Sequence, residues 1–291
     1  MNIGVITSGN LGYQVTKELL NNYTPVFLAI DIRSESLIKL AREFDIPAFI
    51  GNPRNGMLLA FLNSLEIKPD IILSINYLFL LDEELVDRLP VSINFHGSLL
   101  PKYRGRTPHV WAIINNEKKT GVTAHLIDKN CDTGAIVKQR EINIHPSETG
   151  ADILKKFNAI YPNFVKEVIK DHINDQLEPI PQDHSKATYF GKRTPEDGEI
   201  NWNWQRERIY NWVRAQAAPY PGAYTFINNK KVIIDKVVFS DAGFSNEDPN
   251  GLILDIESFP VVKCPNGAIQ INIIRNKEVN NCIKKGMVFQ S

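Results

Sequence analysis

The sequence predicts an α/β fold: a parallel sheet covered by helices, then a smaller β-rich domain. Three observations predict it. Short apolar runs alternate with amphipathic runs over residues 2–95, the pattern of βαβ units whose strands are buried on both faces. A long stretch at 148–175 then carries apolar residues at helical spacing. From residue 222 onward, the pattern changes to short β-rich runs broken by Asn-, Pro- and Gly-containing turns.

The elements follow in order. NIGVIT (2–7) is a short buried strand and SGNLG (8–12) a turn. YQVTKELLNN (13–22) is a helix with Val15, Leu19 and Leu20 on one side. PVFLAI (25–30) is the next strand. SESLIKLAREFD (34–45) is a helix with Ser34 as its N-cap, where a serine hydroxyl can accept from the first turn. IPAFI (46–50) is a third strand, GMLLAFLNSLEI (56–67) a third helix, DIILSIN (70–76) a fourth strand, DEELVDRL (82–89) a short helix and VSINF (91–95) a fifth strand. The helix at 148–175 has Ile153, Leu154, Phe157, Ile160 and Phe164 near helical spacing. The stretch 176–202, with Pro179, Pro181 and Pro195, reads as a linker, and QRERIYNWVRAQA (205–217) as a helix. These divisions give domains at 1–180 and 205–291, joined by a linker at 181–204.

The composition, 43% hydrophobic and 23% charged, is ordinary for a soluble globular protein. Lys+Arg and Asp+Glu are both 33, so there is no basic excess of the kind a broad phosphate footprint calls for. The first residues show neither a basic n-region nor an apolar h-region, and no apolar run has membrane-spanning length. Cys131, Cys264 and Cys282 lack metal-ligand spacing and suit a reducing compartment. The expectation is a cytoplasmic protein with no nucleic-acid or membrane partner. Cys131 adjoins Asp132, which raises a catalytic thiol against the plainer reading of an inert cysteine.

Two segments carry chemistry: INFHGSLLPKYRGRTPHVWAI (93–113) and GVTAHLIDKNCDTGAIV (121–137). In open α/β sheets, ligands bind outside the carboxyl ends of the strands, where Asn94 and His96 fall. The strand period of two puts both on one face. An amide can donate to a developing oxyanion, an imidazole can donate there or carry a proton, and Asp132 can hold the imidazole and raise its pKa. A buried Asp132 without such a neighbour would be costly. His125, alternating with apolar residues, reads as a half-buried strand residue. In LLPKYRGRTP, Lys102, Arg104 and Arg106 would project at the mouth of the site and attract an anion. SGNLG lacks the third glycine of a dinucleotide fingerprint and reads as a plain βα turn. No HxxxH or CxxC metal motif occurs.

NFHGSLLPKYRG followed by DTGAIV resembles the formyltransferases that use N10-formyltetrahydrofolate. The family's Asn, His and Asp triad maps onto Asn94, His96 and Asp132. YFGKRTPEDGEINW and IYNWVRAQAAPYPGAY are similar to segments of the sugar-nucleotide formyltransferases. The resemblance implies a Rossmann-like catalytic domain followed by a small OB-like barrel. It implies N10-formyltetrahydrofolate as co-substrate and no metal. The pterin ring would lie on the loop NYLFLL (76–81), which makes Tyr77, Leu78, Phe79 and Leu80, with Asp128 and Asp132, the expected folate contacts. The acceptor would be a nucleotide-linked 4-amino sugar made for cell-surface polysaccharide, with Lys102, Tyr103, Arg104, Arg193 and Arg214 near its diphosphate. A homodimer is expected by analogy. In this scheme the sugar amine attacks the formyl carbon, Asn94 and His96 steady the oxyanion, and Asp132 orients His96 and helps remove a proton. Initiator methionyl-tRNA and glycinamide ribonucleotide are the other family acceptors. The neutral charge argues against the first and the second domain against the second. A non-catalytic sugar-nucleotide or folate-binding relative is the rival from another class.

Overall fold

Strands β1 (Ile3–Thr7), β2 (Phe27–Ile30) and β4 (Ile71–Ile75) are buried at every residue, as parallel strands covered on both faces must be. Between and after them come α1 (Gly9–Leu19), α2 (Glu35–Glu43), β3 (Ala48–Ile50), α3 (Met57–Ser64), α4 (Glu83–Val86) and β5 (Val91–His96). The computed structural model describes residues 1–256 and 258–290. The chain divides into two units that share it by turns. The first holds Met1–Gly105, Thr120–Ile142 and Lys155–Phe190, and the second holds the rest.

In the first unit, β7 (Lys119–Leu126) and β8 (Ile136–Asn143) complete a seven-stranded sheet of order β3-β2-β1-β4-β5-β7-β8. The β1–β2, β2–β3, β1–β4 and β4–β5 pairs are parallel; β5–β7 is antiparallel. Ile6, Phe27, Ala29, Leu58, Leu62, Ile72 and Leu85 form one buried cluster, and each side chain in it larger than alanine contributes about 1.5–3 kcal/mol by leaving water. The helix α6 (Gly150–Ile173) sets Phe164 edge-on to Phe95 at 6.1 Å between centroids. A two-residue strand, β6 (Arg104–Gly105), pairs in parallel with β9 (Tyr189–Phe190).

In the second unit, α5 (Pro108–Ile114) and α7 (Arg206–Gln216) accompany an antiparallel sheet. Its strands are β10 (Ala223–Ile227), β11 (Lys230–Ser240), β12 (Ile253–Asp255), β13 (Val261–Cys264) and β14 (Gly267–Ile274), in the order β10-β11-β14-β13-β12. The C-terminal segment ties the two edges. Gln290 bridges Phe226 of β10, and Val288 bridges Leu252 beside β12. Phe289 stacks on the buried Trp202 at 5.5 Å. This gives the sheet a barrel-like closure.

Some local expectations are corrected. The turn at 8–12 is already helical from Gly9. Ser34 precedes α2 but does not cap it; its hydroxyl accepts the Gly9 N–H at 2.9 Å and so ties the start of α1. The proline-bearing stretch after α6 is not a loose connection. It contains β9, two 3-10 turns and the buried Gln182, Ile200 and Trp202.

Candidate active site

Asn94 and His96 leave the last turns of β5 on the same face, and Asn94 stands directly opposite His125 in the antiparallel pairing with β7. Asp132 comes from the loop between β7 and β8, in left-handed backbone with φ +56°. Its side chain is 11% exposed, and three side chains converge on it. Oδ1 lies 3.5 Å from Asn94 Nδ2 and 3.6 Å from His125 Nε2, and Oδ2 lies 3.6 Å from His96 Nδ1. The structure thus brings the three expected residues together and adds His125 to them.

The loop after β5 is braced from below. Thr123 donates to the Ser98 carbonyl at 2.6 Å and accepts from Leu100 N–H and from Gln139. Ser98 donates to the Lys102 carbonyl at 2.7 Å. Tyr103 N–H donates to Thr188 at 2.8 Å, and its ring stacks on Phe190 at 4.9 Å. These contacts present the Tyr103 carbonyl to His96 Nε2 at 2.8 Å. A carbonyl oxygen only accepts, so Nε2 carries hydrogen and Nδ1 faces the carboxylate. His96 therefore has no N–H left for an oxyanion in this arrangement, which corrects the shared donor role expected of it.

Gly105 N–H donates to Asp132 Oδ2 at 2.8 Å. Only glycine suits the position: φ is +102°, and a Cβ there would meet the Phe190 carbonyl oxygen at 2.2 Å. Gln182 donates to the carbonyls of Asp132 and Gly134 at 2.9 and 2.7 Å and so holds the far side of the loop.

Burial opposes the charge on Asp132, yet its carboxyl lies well below the usual carboxylate range. The neighbouring His96 and the Gly105 N–H together outweigh desolvation. His96 shifts down from its ordinary value because burial outweighs the opposing charge of Asp132 and the Tyr103 carbonyl. An ionised carboxylate thus sits beside a neutral imidazole.

Arg104 does not project at the mouth of the site. It is 0% exposed, and its guanidinium donates to Gln182, Tyr189 and His184. Tyr103 is likewise buried, whereas Lys102 is exposed. In the second unit, Arg193 lies 5.0 Å from the Trp111 ring and 4.3 Å from Trp212, and donates to Asp197 and Gln216. Arg214 is buried and donates to Asn211 and to the Glu148 carbonyl. Arg104 is therefore a structural cation rather than the projecting one expected, and Arg214 is likewise bound up within the protein.

Beside Asp132, a cavity of about 470 Å³ is lined by Asp128, Asn130, Cys131, Thr133, His184 and Tyr189. Asp128 accepts from Thr133 at 2.6 Å. The apolar loop after β4 places Tyr77 against Phe79 at 5.5 Å, with Leu80 54% exposed. Tyr77 Oη is buried with no hydrogen-bond partner, and burial raises the pKa of its phenol. Two features of the site escaped sequence reasoning. The signal for His125 was its alternation opposite Asn94, readable only with the antiparallel register; Gln182 carries no local signal.

Residues 56–169 match the family model for formyl transferases, and residues 192–282 match that for the formyl transferase C-terminal domain. The chain is 34% identical over 257 residues to the bifunctional polymyxin resistance protein ArnA of Wigglesworthia glossinidia brevipalpis. That alignment covers 84% of this chain and 38% of the relative, so the chain spans about two fifths of that protein's length. Two solved structures share the fold. WlaRD, a sugar 3N-formyl transferase solved in the presence of dTDP and 5-N-formyl-THF, is 21% identical with a TM-score of 0.72, covering 95% of this chain and 98% of the other. The N-formyltransferase from Helicobacter canadensis, in complex with folinic acid and dTDP-3-aminofucose, is 22% identical with a TM-score of 0.71, covering 94% and 99%.

Proposed function

As the chain belongs to the formyl transferase family, we propose that it is an N-formyltransferase acting on a nucleotide-linked amino sugar. It moves the formyl group of N10-formyltetrahydrofolate onto the amine of a 4-amino sugar carried by UDP or dTDP. The observation that carries this reading is the ionised Asp132 held among Asn94, His96 and His125 at the end of β5.

The folate, when bound, supplies an activated formyl carbon. The loop after β4 suits it: half-exposed apolar side chains offer a surface for a flat ring, and the orphaned Tyr77 hydroxyl awaits a polar partner. Tyr77, Leu78, Phe79 and Leu80 would hold the ring, with Asp128 and Asp132 on the opposite wall. Asn94 donates an N–H to the oxygen that gains charge as the amine adds; one such donor is worth about 3 kcal/mol. Asp132 takes the proton that the amine sheds, and His96 Nδ1, facing its Oδ2, shares it. Lys102 is an exposed cation of the loop after β5 and meets the diphosphate. Arg193, half-buried in the second unit, is kept as a diphosphate contact in this reading. A cytoplasmic site of action, a product destined for cell-surface polysaccharide and a homodimer complete it, on the family resemblance.

The test is an assay with N10-formyltetrahydrofolate and a panel of UDP-, dTDP- and GDP-linked 3- and 4-amino sugars, read by mass spectrometry. A formylated 4-amino sugar with matching release of tetrahydrofolate is expected. Asp132→Asn should lower kcat by at least about 100-fold while the melting temperature stays near wild type. Binding without turnover across the panel would favour the non-catalytic relative, and formylation of methionyl-tRNA alone would favour the tRNA enzyme.

A further inference from the structure

The geometry points to His125 as a positioning residue for formyl transfer, acting by fixing the side-chain amide of Asn94. This inference rests on the reading of the site given above. His125 is 3% exposed, and its Nδ1 lies 2.8 Å from the Leu126 carbonyl. That oxygen can only accept, so Nδ1 carries the hydrogen. A neutral ring with hydrogen on Nδ1 has a bare lone pair at Nε2. Asn94 Nδ2 lies 3.0 Å from that lone pair and donates to it. The other orientation of the amide would set its oxygen against the same lone pair. A main-chain carbonyl of β7 thus fixes a tautomer, and the tautomer fixes an amide.

The consequence is the direction of one N–H bond. Asn94 has two, and the first is spent on His125. The second reaches only Asp132 Oδ1, at 3.5 Å, the outer limit of a hydrogen bond. It is therefore the bond that can turn onto a stronger acceptor, such as the oxygen charged during transfer. His96 offers no alternative, because its N–H is held by the Tyr103 carbonyl. Without His125, the amide has two orientations of nearly equal shape, one of which puts an acceptor where the donor is needed. Strand burial alone would ask only for an apolar residue at this position, since His125 is 3% exposed.

Two substitutions and a spectrum test this. His125→Leu suits a buried strand and removes the acceptor; kcat should fall about 10- to 100-fold, less than a full oxyanion donor is worth, with both KM values close to wild type. His125→Gln, whose Oε1 can accept from Asn94, should recover most of kcat. In an Asn94→Ala background, His125→Leu should cause no further loss, because coupled residues are not additive. Unchanged kcat in His125→Leu, or an undiminished loss in the Asn94→Ala background, overturns the proposal. If His125→Leu does not fold, the imidazole ¹⁵N spectrum of the wild-type protein decides, with the His125 signal assigned from its loss in His125→Gln. Hydrogen on Nδ1 and a bare Nε2 are expected, and hydrogen on Nε2 overturns the proposal. The spectrum needs no sugar acceptor, so it stands apart from the formyl-transfer reading, whose failure would show as wild-type inactivity.

Discussion

Two imidazoles, the buried His96 and the partly buried His109, shift the pH dependence of stability in a direction set by burial. His109 Nε2 lies 2.7 Å from the Tyr220 hydroxyl, and burial lowers its pKa from 6.5 to about 4. His96 is lowered by the same cause. Between pH 4 and 6.5 the unfolded chain binds more protons than the folded one at these sites, so stability rises with pH across that window and is lost as pH falls through it. Urea midpoints should drop on acidification from pH 6.5 to 4. His109→Phe should flatten part of that slope, and an unchanged slope would mean that His109 does not titrate as its burial implies. Readability also divides at this scale. Asn94, His96 and Asp132 could be named from sequence because each lies in a short motif, the first two at a strand end and the third in the loop between two strands. Arg104 could not be placed, because its burial depends on Gln182, His184 and Tyr189, far along the chain. A cation in a proline-glycine loop reads as solvated until those partners arrive.

Among the elements, the short β6–β9 pair bears most directly on the site. It brings the Phe190 carbonyl to within 2.2 Å of where a Gly105 Cβ would stand, and it aims the Gly105 N–H at Asp132. Gly105→Ala should therefore cost stability, by about 1–3 kcal/mol for the strained backbone alone. It should also lower kcat by displacing the N–H that helps keep Asp132 ionised. A variant with normal turnover and a normal melting temperature would show that this strand pair does not support the carboxylate. The parallel half of the sheet could be read because β1, β2 and β4 are continuous apolar runs separated by helical periodicity. Two neighbouring strands, β7 and β8, carry no intervening helix to mark them, and β8 is only partly buried. Ser34 looked like a cap from its position, but its hydroxyl went to the more distant Gly9 N–H.

Across the whole molecule, the equal counts of acidic and basic residues bear on the choice of acceptor. A small diphosphate needs few cations, whereas a tRNA backbone needs many. Ligands that bind only the folded form should raise the melting temperature, by about 2.7 kcal/mol of added stability at a hundredfold excess over Kd. A UDP- or dTDP-linked amino sugar with a folate analogue should give such a shift, and moderate salt should weaken it only mildly. Binding to methionyl-tRNA that falls steeply with salt would instead identify a nucleic-acid acceptor. The presence of a β-rich second unit was readable from its turn spacing. Its closure by residues 288–290 was not, because two bridges and one stacked ring leave no periodic trace.

The alternation of the chain between its two units constrains its synthesis. The first unit includes residues up to Phe190, so it cannot be finished on the ribosome until residue 190 has been made. By then, residues 106–119 have long emerged without the later segments of their own unit. The first unit can close before residues 191–291 are made, but only with residues 106–119 and 143–154 left waiting for them. A nascent chain stalled before Phe190 would leave both units unfinished and both a target for chaperones.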